Sequence, residues 1–157
     1  MFKFKTPQKI FQIGKVKIGG QPGELPKVLI GTIFYEKHDI VKDPKTGAFD
    51  KEKAEELIKK QDGLSELTGN PCMLDIVCTS VESGQRYIDF VAGATDAPIS
   101  VDIMEPKNKP GILKYVGEAG LADRVLYNSI WFPKEDEINA LKDSKIKAAI
   151  LLGYNVK

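Results

Sequence analysis

The sequence MLDIV at positions 73–77, followed by Ser80 and the segment 81–92, decides the fold. Four of the five residues in MLDIV are apolar, which is typical of a buried β-strand. Ser80 is a residue type favoured at helix N-caps, and the segment after it places Tyr87 and Val91 at core-facing helical spacing. This stretch therefore predicts one strand followed by one helix.

The same unit recurs towards the carboxyl terminus. Segments 98–102, 124–128 and 148–153 are strand candidates, and segments 106–120 and 134–142 are helix candidates. A polar residue lies in or just after each strand, with 27, 26 and 27 residues separating Asp75, Asp102, Asn128 and Asn155 in turn. This period suits a strand-plus-helix unit joined by right-handed parallel crossovers.

Upstream of the repeat, alternating apolar residues between 11 and 18 flank Gly14-Lys15 and predict a short β-hairpin. The apolar run 28–35 predicts a first parallel strand buried on both faces. The polar, turn-rich segment 36–49 predicts a surface loop. Asp50 then offers an N-cap for a helix that is expected to end near Gly69.

Units of this kind build either an open doubly wound sheet or a closed (β/α)8 barrel. The first strand has no glycine-rich dinucleotide fingerprint after it, which favours the barrel, with the hairpin covering its bottom. The fold class is therefore α/β, a partial TIM barrel of about five parallel strands with an N-terminal β-hairpin. A barrel of this class needs about 250 residues. We expect residues 1–157 to be the truncated N-terminal part of a single barrel domain.

Composition disfavours several function classes. The formal net charge is +1, from 23 basic and 22 acidic residues, so no summed field attracts nucleic acid or an anionic membrane surface. No apolar run reaches the roughly 20 residues of a membrane span, and we expect a cytoplasmic protein. With Cys72, Cys78 and His38 as its only cysteines and histidine, the chain lacks ligands for a zinc site, and the cysteines are expected to pack as small buried residues.

Strand-end polar residues are the candidate site, because side chains at the carboxyl ends of barrel strands point into the mouth. Asp75, Asp102, Asn128 and Asn155 qualify. A carboxylate beside a carboxamide can grip a flat heterocycle such as a pterin, and suits it better than a phosphate. Two alternatives stay open: ordinary turn residues at strand ends, and acid/base hydrolysis by Asp75 with Asp102, which nothing else in the chain supports.

Three further residues are weaker candidates. His38 follows the first strand and is expected on the mouth side, where it could donate to a substrate carbonyl or be merely solvated. Tyr127 and Trp131 lie on either side of Asn128, and an aromatic ring at a barrel mouth can stack on a flat ligand. For Tyr127, core packing is the stronger expectation.

Several strings of the sequence resemble one family, in matching order. They are 16–24 (VKIGGQPGE), 31–35 (GTIFY) with His38, 47–51 (GAFDK), 68–75 (TGNPCMLD), 87–91 (YIDFV) and 127–130 (YNSI). With these residues the chain resembles the H subunit of tetrahydromethanopterin S-methyltransferase. The resemblance spans nearly the whole chain but only the first half of that protein.

The resemblance implies the ligand contacts. The family is similar to pterin-binding barrels such as dihydropteroate synthase and the corrinoid methyltransferases, where an Asp closing the third strand and an Asn closing the fourth bind the ring. Residue matching implies Asp102 and Asn128 for these roles, with Asp75 at the mouth and a further Asp on a later strand that this chain lacks. Related sequences tend to carry Ser or Thr after the Asp, whereas this chain has Ile103-Met104-Glu105.

The resemblance also implies a reaction and its partners. The methyl group on N5 of methyl-tetrahydromethanopterin would pass to the cobalt(I) of a corrinoid carried by a partner subunit, a step of coenzyme M methylation in methanogenesis. The implied partners are subunits of a membrane-associated complex, with a homodimer for the full-length protein and a cytoplasmic location peripheral to the membrane. Two rival functions stay open: a non-catalytic docking protein of the assembly, and a related corrinoid methyltransferase with another pterin or acceptor.

Overall fold

The structure, a computed structural model, describes residues 1–154. The strands are β1 (Ile10–Ile13), β2 (Val16–Gly19), β3 (Leu29–Ile33), β4 (Val41–Asp43), β5 (Ala48–Phe49), β6 (Cys72–Cys78), β7 (Ile99–Ile103), β8 (Val125–Ile130) and β9 (Ala149–Leu151). The helices are α1 (Lys51–Thr68), α2 (Val81–Ala94), α3 (Lys109–Glu118) and α4 (Glu135–Ser144). In this part of the chain, no helix combines the length and the apolar character needed to cross a membrane.

Five strands form one parallel sheet in the order β3-β6-β7-β8-β9. Each strand lies beside the preceding strand of the sheet, whereas a doubly wound sheet reverses its strand order at a switch point. The order is that of one sector of a (β/α)8 barrel. The predicted α/β class, the five parallel strands and the N-terminal hairpin are confirmed.

The helix ends follow local sequence signals. The Asp50 side chain accepts a hydrogen bond from the Lys53 amide at the start of α1 (3.2 Å), and Gly69 ends that helix with a positive φ of 69°. Ser80 forms a capping box with Ser83 at the start of α2. Such caps satisfy backbone groups that a helix leaves unpaired, so these boundaries could be predicted from the sequence.

The main core lies between the sheet and its helices. Alternate strand residues face this layer and are buried, among them Leu74, Ile76, Ile99, Val101, Val125 and Tyr127. Ile88 and Val91 of α2 pack into the same cluster. Burial of each large aliphatic side chain contributes about 1.5–3 kcal/mol, so this layer supplies most of the stabilisation.

The hairpin covers the opposite face of the sheet at its amino-terminal end. Ile13 of β1 packs with Met73 and Leu126, which project from β6 and β8 away from the helices. The Gly14 amide donates to the Asp123 carbonyl (2.7 Å), and Gly14 has a φ of 52° that suits glycine at this tight turn. All seven residues of β6 are buried, because helices cover one face and the hairpin helps to cover the other.

The segment 36–49 is not a surface loop, and that prediction was wrong. Strands β4 and β5 pair antiparallel there. Ile40 and Phe49 are buried, and the Phe49 ring contacts Tyr87 of α2 (5.6 Å between centroids). Two apolar residues thus anchor a polar segment, while Ser80 donates to the Lys45 carbonyl at its tip (2.6 Å).

The first parallel strand was also predicted to be buried on both faces, which is wrong for its amino-terminal half. Leu29 and Ile30 are 56% and 49% exposed, because β3 is an edge strand of the described sheet. At the other edge, Leu151 of β9 is 75% exposed. Unpaired apolar edges of this kind favour association with further strands.

We therefore expect the 157-residue polypeptide on its own to self-associate, and Ile30→Lys to reduce that association because a charge on the edge opposes strand pairing. Light scattering coupled to size-exclusion chromatography measures the effect. Leu67→Lys is the matched control, since Leu67 is exposed on α1 and outside the sheet. A monodisperse monomer of the unmodified polypeptide would contradict the expectation.

Arg124 joins the start of β8 to the preceding strand–helix unit. Its guanidinium donates to the carbonyls of Ala92 (3.1 Å) and Ala97 (3.0 Å) and also to that of Thr95. These carbonyls lie at the end of α2 and in the turn that leads to β7. A single side chain thus satisfies three backbone acceptors between consecutive units.

Arg124→Met is expected to lower the free energy of unfolding by about 2–3 kcal/mol, because it leaves part-buried carbonyls without a donor. Urea unfolding followed by circular dichroism measures the change. Arg86→Met is the control, since within residues 1–154 the Arg86 side chain makes only an exposed ion pair with Glu82 (3.5 Å). Loss of that ion pair should change stability by less than about 0.5 kcal/mol. Equal effects of the two substitutions would refute the role of Arg124.

Candidate functional site

A row of polar side chains lies on the sheet face opposite the helices. Asp75 pairs in register with Thr32 on one side and Ser100 on the other, and Asp102 pairs with Asn128. Residues paired in register share a face, and alternation along β7 puts Ser100 and Asp102 on the same face. The structure thus brings together the predicted residues Asp75, Asp102 and Asn128, on parallel neighbouring strands.

Asp75 was predicted at a strand end, which is wrong, because it lies in the middle of β6. It is the common hydrogen-bond acceptor of the polar row. Its Oδ1 accepts from Ser100 Oγ (2.6 Å) and from Asn128 Nδ2 (3.2 Å), and its Oδ2 lies 3.4 Å from Thr32 Oγ1. Only 6% of Asp75 is exposed. A buried carboxylate with several donors is held firmly, so Asp75 orients its neighbours; direct contact between Asp75 and a ligand stays a prediction.

Asn128 presents a defined amide edge. Because its Nδ2 donates to Asp75, its Oδ1 is the atom available to accept a hydrogen bond from a ligand. Asn128 is half-buried near the carboxyl end of β8. Register pairing with β7 ends at Asn128, while β8 continues to Ile130 beside β9.

Asp102 differs from Asp75 in its lack of donors. Within residues 1–154 no side chain or backbone group donates a hydrogen bond to its carboxylate, which is half-buried. The following residue, Ile103, packs in the helix-side core and offers no polar contact. Burial raises the pKa of Asp102, the charge of Asp75 raises it further, and the charge of Lys109 opposes them. Asp102 can therefore accept from a ligand or, when protonated, donate to it.

The floor beneath these polar groups is apolar. Met73 and Leu126 lie on the same face, towards the amino-terminal ends of the strands, in contact with Ile13 of the hairpin. A polar rim above an apolar floor is the arrangement expected of a site for a flat heterocycle. The hairpin thus covers the amino-terminal end of this face, and the polar row lies towards the carboxyl-terminal end.

Within residues 1–154, the weaker candidates His38, Tyr127 and Trp131 make no hydrogen bond to the polar row. His38 accepts a hydrogen bond from the Ile40 amide through Nδ1 (3.3 Å), which gives it a local role in the turn after β3. Tyr127 is fully buried on the helix side, as its predicted packing role requires. Trp131 is 43% exposed and donates to the Tyr154 carbonyl. Asn155 lies outside the described residues.

Both cysteines are buried and unbridged, which confirms the expectation that they pack as small residues. Burial raises the pKa of the Cys78 thiol above its ordinary value. The thiol form is therefore favoured, and a nucleophilic role for Cys78 is disfavoured.

Sequence reasoning missed Ser100 and Thr32, both of which touch Asp75. Ser100 had a usable signal, since it precedes Asp102 by two residues in a predicted strand and must share its face. Thr32 had none, because β-branched threonine is an ordinary strand residue.

Comparison with known proteins identifies the family. The family model described as "Tetrahydromethanopterin S-methyltransferase MtrH subunit" matches residues 6–157. The chain belongs to this family. The resemblance expected from the sequence strings is confirmed.

Curated relatives of this chain are identical to it at about half of the aligned residues. The H subunit of tetrahydromethanopterin S-methyltransferase from Methanopyrus kandleri is 53% identical over 94% of this chain and 46% of its own length. The corresponding protein from Methanothermobacter marburgensis is 45% identical over 99% of this chain and 50% of its own. A Methanosarcina barkeri protein is named as the H subunit of a methyltransferase designated mtx. It is 51% identical over 99% of this chain and 50% of its own length. The chain spans about half the length of the curated relatives it matches.

The contrast between the two acids of the site predicts opposite effects on stability. A raised pKa in the folded state means that, above the ordinary value of 3.8, the folded protein binds more protons at Asp102 than the unfolded chain does. The contribution of Asp102 to the free energy of unfolding therefore falls as the pH rises from 3.8 to the raised pKa of the folded state. Asp102→Asn should raise the midpoint of urea unfolding at pH 7. The midpoint should also fall less steeply with rising pH in this variant than in the unmodified protein.

Asp75→Asn should instead lower the free energy of unfolding by about 1–3 kcal/mol, because its charge-assisted hydrogen bonds to Ser100 and Asn128 are weakened. Urea titrations between pH 4 and pH 7 compare both variants with the unmodified protein. An Asp102→Asn variant less stable than the unmodified protein at pH 7 would show that Asp102 has a structural role instead.

Proposed function

We propose that the full-length protein transfers the methyl group from N5 of methyl-tetrahydromethanopterin to the cobalt(I) of a corrinoid carried by a partner subunit, a step of coenzyme M methylation in methanogenesis. The observation that carries this proposal is the adjacent placement of Asp102 and Asn128 on one face of a parallel sheet, with Asp75 holding the amide of Asn128. Membership of the MtrH family supports it.

The hydrogen-bond acceptors of the site fit a pterin ring. A reduced pterin presents N–H donors and ring acceptors in one plane, and this chain offers the Asp102 carboxylate and the Asn128 Oδ1 as acceptors. Asp102 lacks a donor from the described part of the chain, so a ring N–H would supply a missing partner. Because Asp75 fixes the Asn128 amide, little side-chain entropy is lost when the ring binds.

The reaction places further demands on the site. A corrinoid on the partner subunit would supply the cobalt(I) electron pair that bonds to the methyl carbon. The bond between that carbon and N5 would break with its electron pair left on N5. A tertiary amine is a poor leaving group, so N5 must gain a proton or a hydrogen bond as that bond breaks, which is general acid catalysis. Asp102 and Asn128 hold the ring during this step, and Asp75 orients Asn128.

We further propose that residues 1–157 form the amino-terminal part of a single pterin-binding TIM-barrel domain, with additional strands pairing to the exposed edges of β3 and β9. The proposed partners are the other subunits of a membrane-associated methyltransferase complex, including the one that carries the corrinoid, and a second copy of the full-length protein. The proposed location is cytoplasmic, peripheral to the membrane. The family name supports membership of a multi-subunit assembly.

A second candidate function is a related corrinoid methyltransferase with another pterin or methyl acceptor. The mtx designation of a relative at 51% identity favours it, because that relative matches about as well as the tetrahydromethanopterin S-methyltransferase proteins do. A comparison of methyl-tetrahydromethanopterin with methyl-tetrahydrofolate as donor separates the two. A full-length protein that binds neither pterin would instead be a docking protein of the assembly.

Asn128→Ala should lower the rate of methyl transfer by about 10- to 100-fold, because the ring loses one oriented hydrogen bond and Asp75 loses one donor. Transfer from methyl-tetrahydromethanopterin to free cob(I)alamin by the full-length protein is the measurement. Asn139→Ala is the control, since Asn139 lies on α4 and away from the polar row. Equal rates for the Asn128→Ala variant and the unmodified protein would remove Asn128 from the site.

A further inference from the structure

A buried ion pair lies behind Asn128, on the helix side of the sheet. Lys109, the first residue of α3, is 8% exposed, and Glu137 of α4 is 4% exposed. Lys109 Nζ donates to Glu137 Oε1 (3.1 Å) and to the backbone carbonyl of Ser129 (3.2 Å). The Tyr127 hydroxyl donates to the same Glu137 oxygen (2.7 Å). The side chains of Lys109, Glu137 and Tyr127 together form what we call the back network.

The back network holds both chain neighbours of Asn128. Tyr127 precedes Asn128 and is tied through its hydroxyl, and Ser129 follows it and is tied through its carbonyl. Alternation along β8 points Tyr127 towards the helices and Asn128 towards the polar row. The back network therefore acts on the backbone segment from which the Asn128 side chain projects.

The neighbouring strands support this segment at Tyr127 and Asn128 but not at Ser129. Register pairing of β8 with β7 ends at Asn128, and pairing with β9 shifts between Asn128 and Ile130. Ser129 thus falls where neither neighbouring strand pairs with it in register. Within residues 1–154, the side-chain hydrogen bond to the Ser129 carbonyl comes from Lys109.

A purely stabilising role explains the pair poorly. Removing a lysine and a glutamate from water is unfavourable, and replacing such a pair with apolar residues is often neutral for stability. Two charges from two different helices, α3 and α4, converge beside one carbonyl at the edge of the candidate site. This arrangement fixes the position of the Ser129 carbonyl and adds little net stability.

We propose that Lys109, with Glu137 and Tyr127, is a positioning group that sets the orientation of Asn128 towards the pterin ring. This inference rests on the proposed function and adds to it residues that contact neither pterin nor corrinoid.

The test uses the full-length protein and the dissociation constant of methyl-tetrahydromethanopterin, measured by calorimetry. Lys109→Met/Glu137→Leu removes both buried charges together, so neither is left unpaired. The dissociation constant should rise about tenfold while the thermal midpoint stays within a few degrees of that of the unmodified protein. Binding within about twofold of the unmodified protein would overturn the proposal.

A double-mutant cycle separates positioning from a general loss of structure. If the back network acts through Asn128, the same double change in an Asn128→Ala background should alter the dissociation constant by less than about twofold. An undiminished tenfold effect in that background would overturn the proposal.

Two buried tyrosines offer a milder, matched comparison. Tyr127→Phe removes only the hydroxyl that holds Glu137 and should raise the dissociation constant about threefold. The Tyr87 hydroxyl is buried without a hydrogen-bond partner in the described part of the chain, so Tyr87→Phe should leave binding unchanged. Equal effects of the two substitutions would count against the back network.

Failure of the proposed function can be told apart from failure of this inference. If the unmodified protein binds no methyl-tetrahydromethanopterin, the proposed function fails. In that case the effect of the back network on Asn128 is measured without a ligand, by the nuclear magnetic resonance signal of the Asn128 side-chain amide. This signal should shift in Tyr127→Phe and not in Tyr87→Phe. An unmoved signal in Tyr127→Phe would overturn the positioning role.

Discussion

Parallel pairing of β6, β7 and β8 in one register is the constraint on which the rest of the structure depends. It aligns Asp75 with Ser100 and Asp102 with Asn128, and alternation then assigns these side chains to the face opposite the helices. A slip of one residue in any of these strands would turn its polar side chains into the helix-side core. The apolar residues between them, such as Ile76 and Val101, hold the register because they are buried only when that face meets the helices.

The two faces of the sheet thus have different physical roles. The helix side provides apolar burial and one charged network, while the open side has an apolar floor and a polar upper row. Within that row the two acids contrast: Asp75 is satisfied by its neighbours, and Asp102 is half-buried without a donor from the described residues. Satisfied groups hold geometry and unsatisfied ones are available to a ligand, so the row combines a fixed element with a binding element.

Much of the fold could be predicted, because its signals are local. The caps Asp50 and Ser80 and the terminating Gly69 fixed helix ends, and the interval of 26 or 27 residues indicated the repeating unit. The ribbon of β4 and β5 could not be predicted, since Ile40 and Phe49 become buried only by contact with residues such as Tyr87 that are distant in sequence. The exposure of β3 likewise follows from its place at the edge of the described sheet.

For the candidate site, the sequence by itself determined which polar residues the strands carry, namely Asp75, Asp102 and Asn128, and through its matching strings the family. The tertiary structure decided how they divide their roles: Asp75 became the acceptor for Ser100 and Asn128, and Asp102 kept its carboxylate without a donor from the described residues. It also decided that Lys109, one of many lysines in the sequence, is buried behind Asn128. The physical reason is that strand ends and caps are encoded over a few neighbouring residues, whereas hydrogen-bond partners and burial depend on which distant segments the register brings into contact.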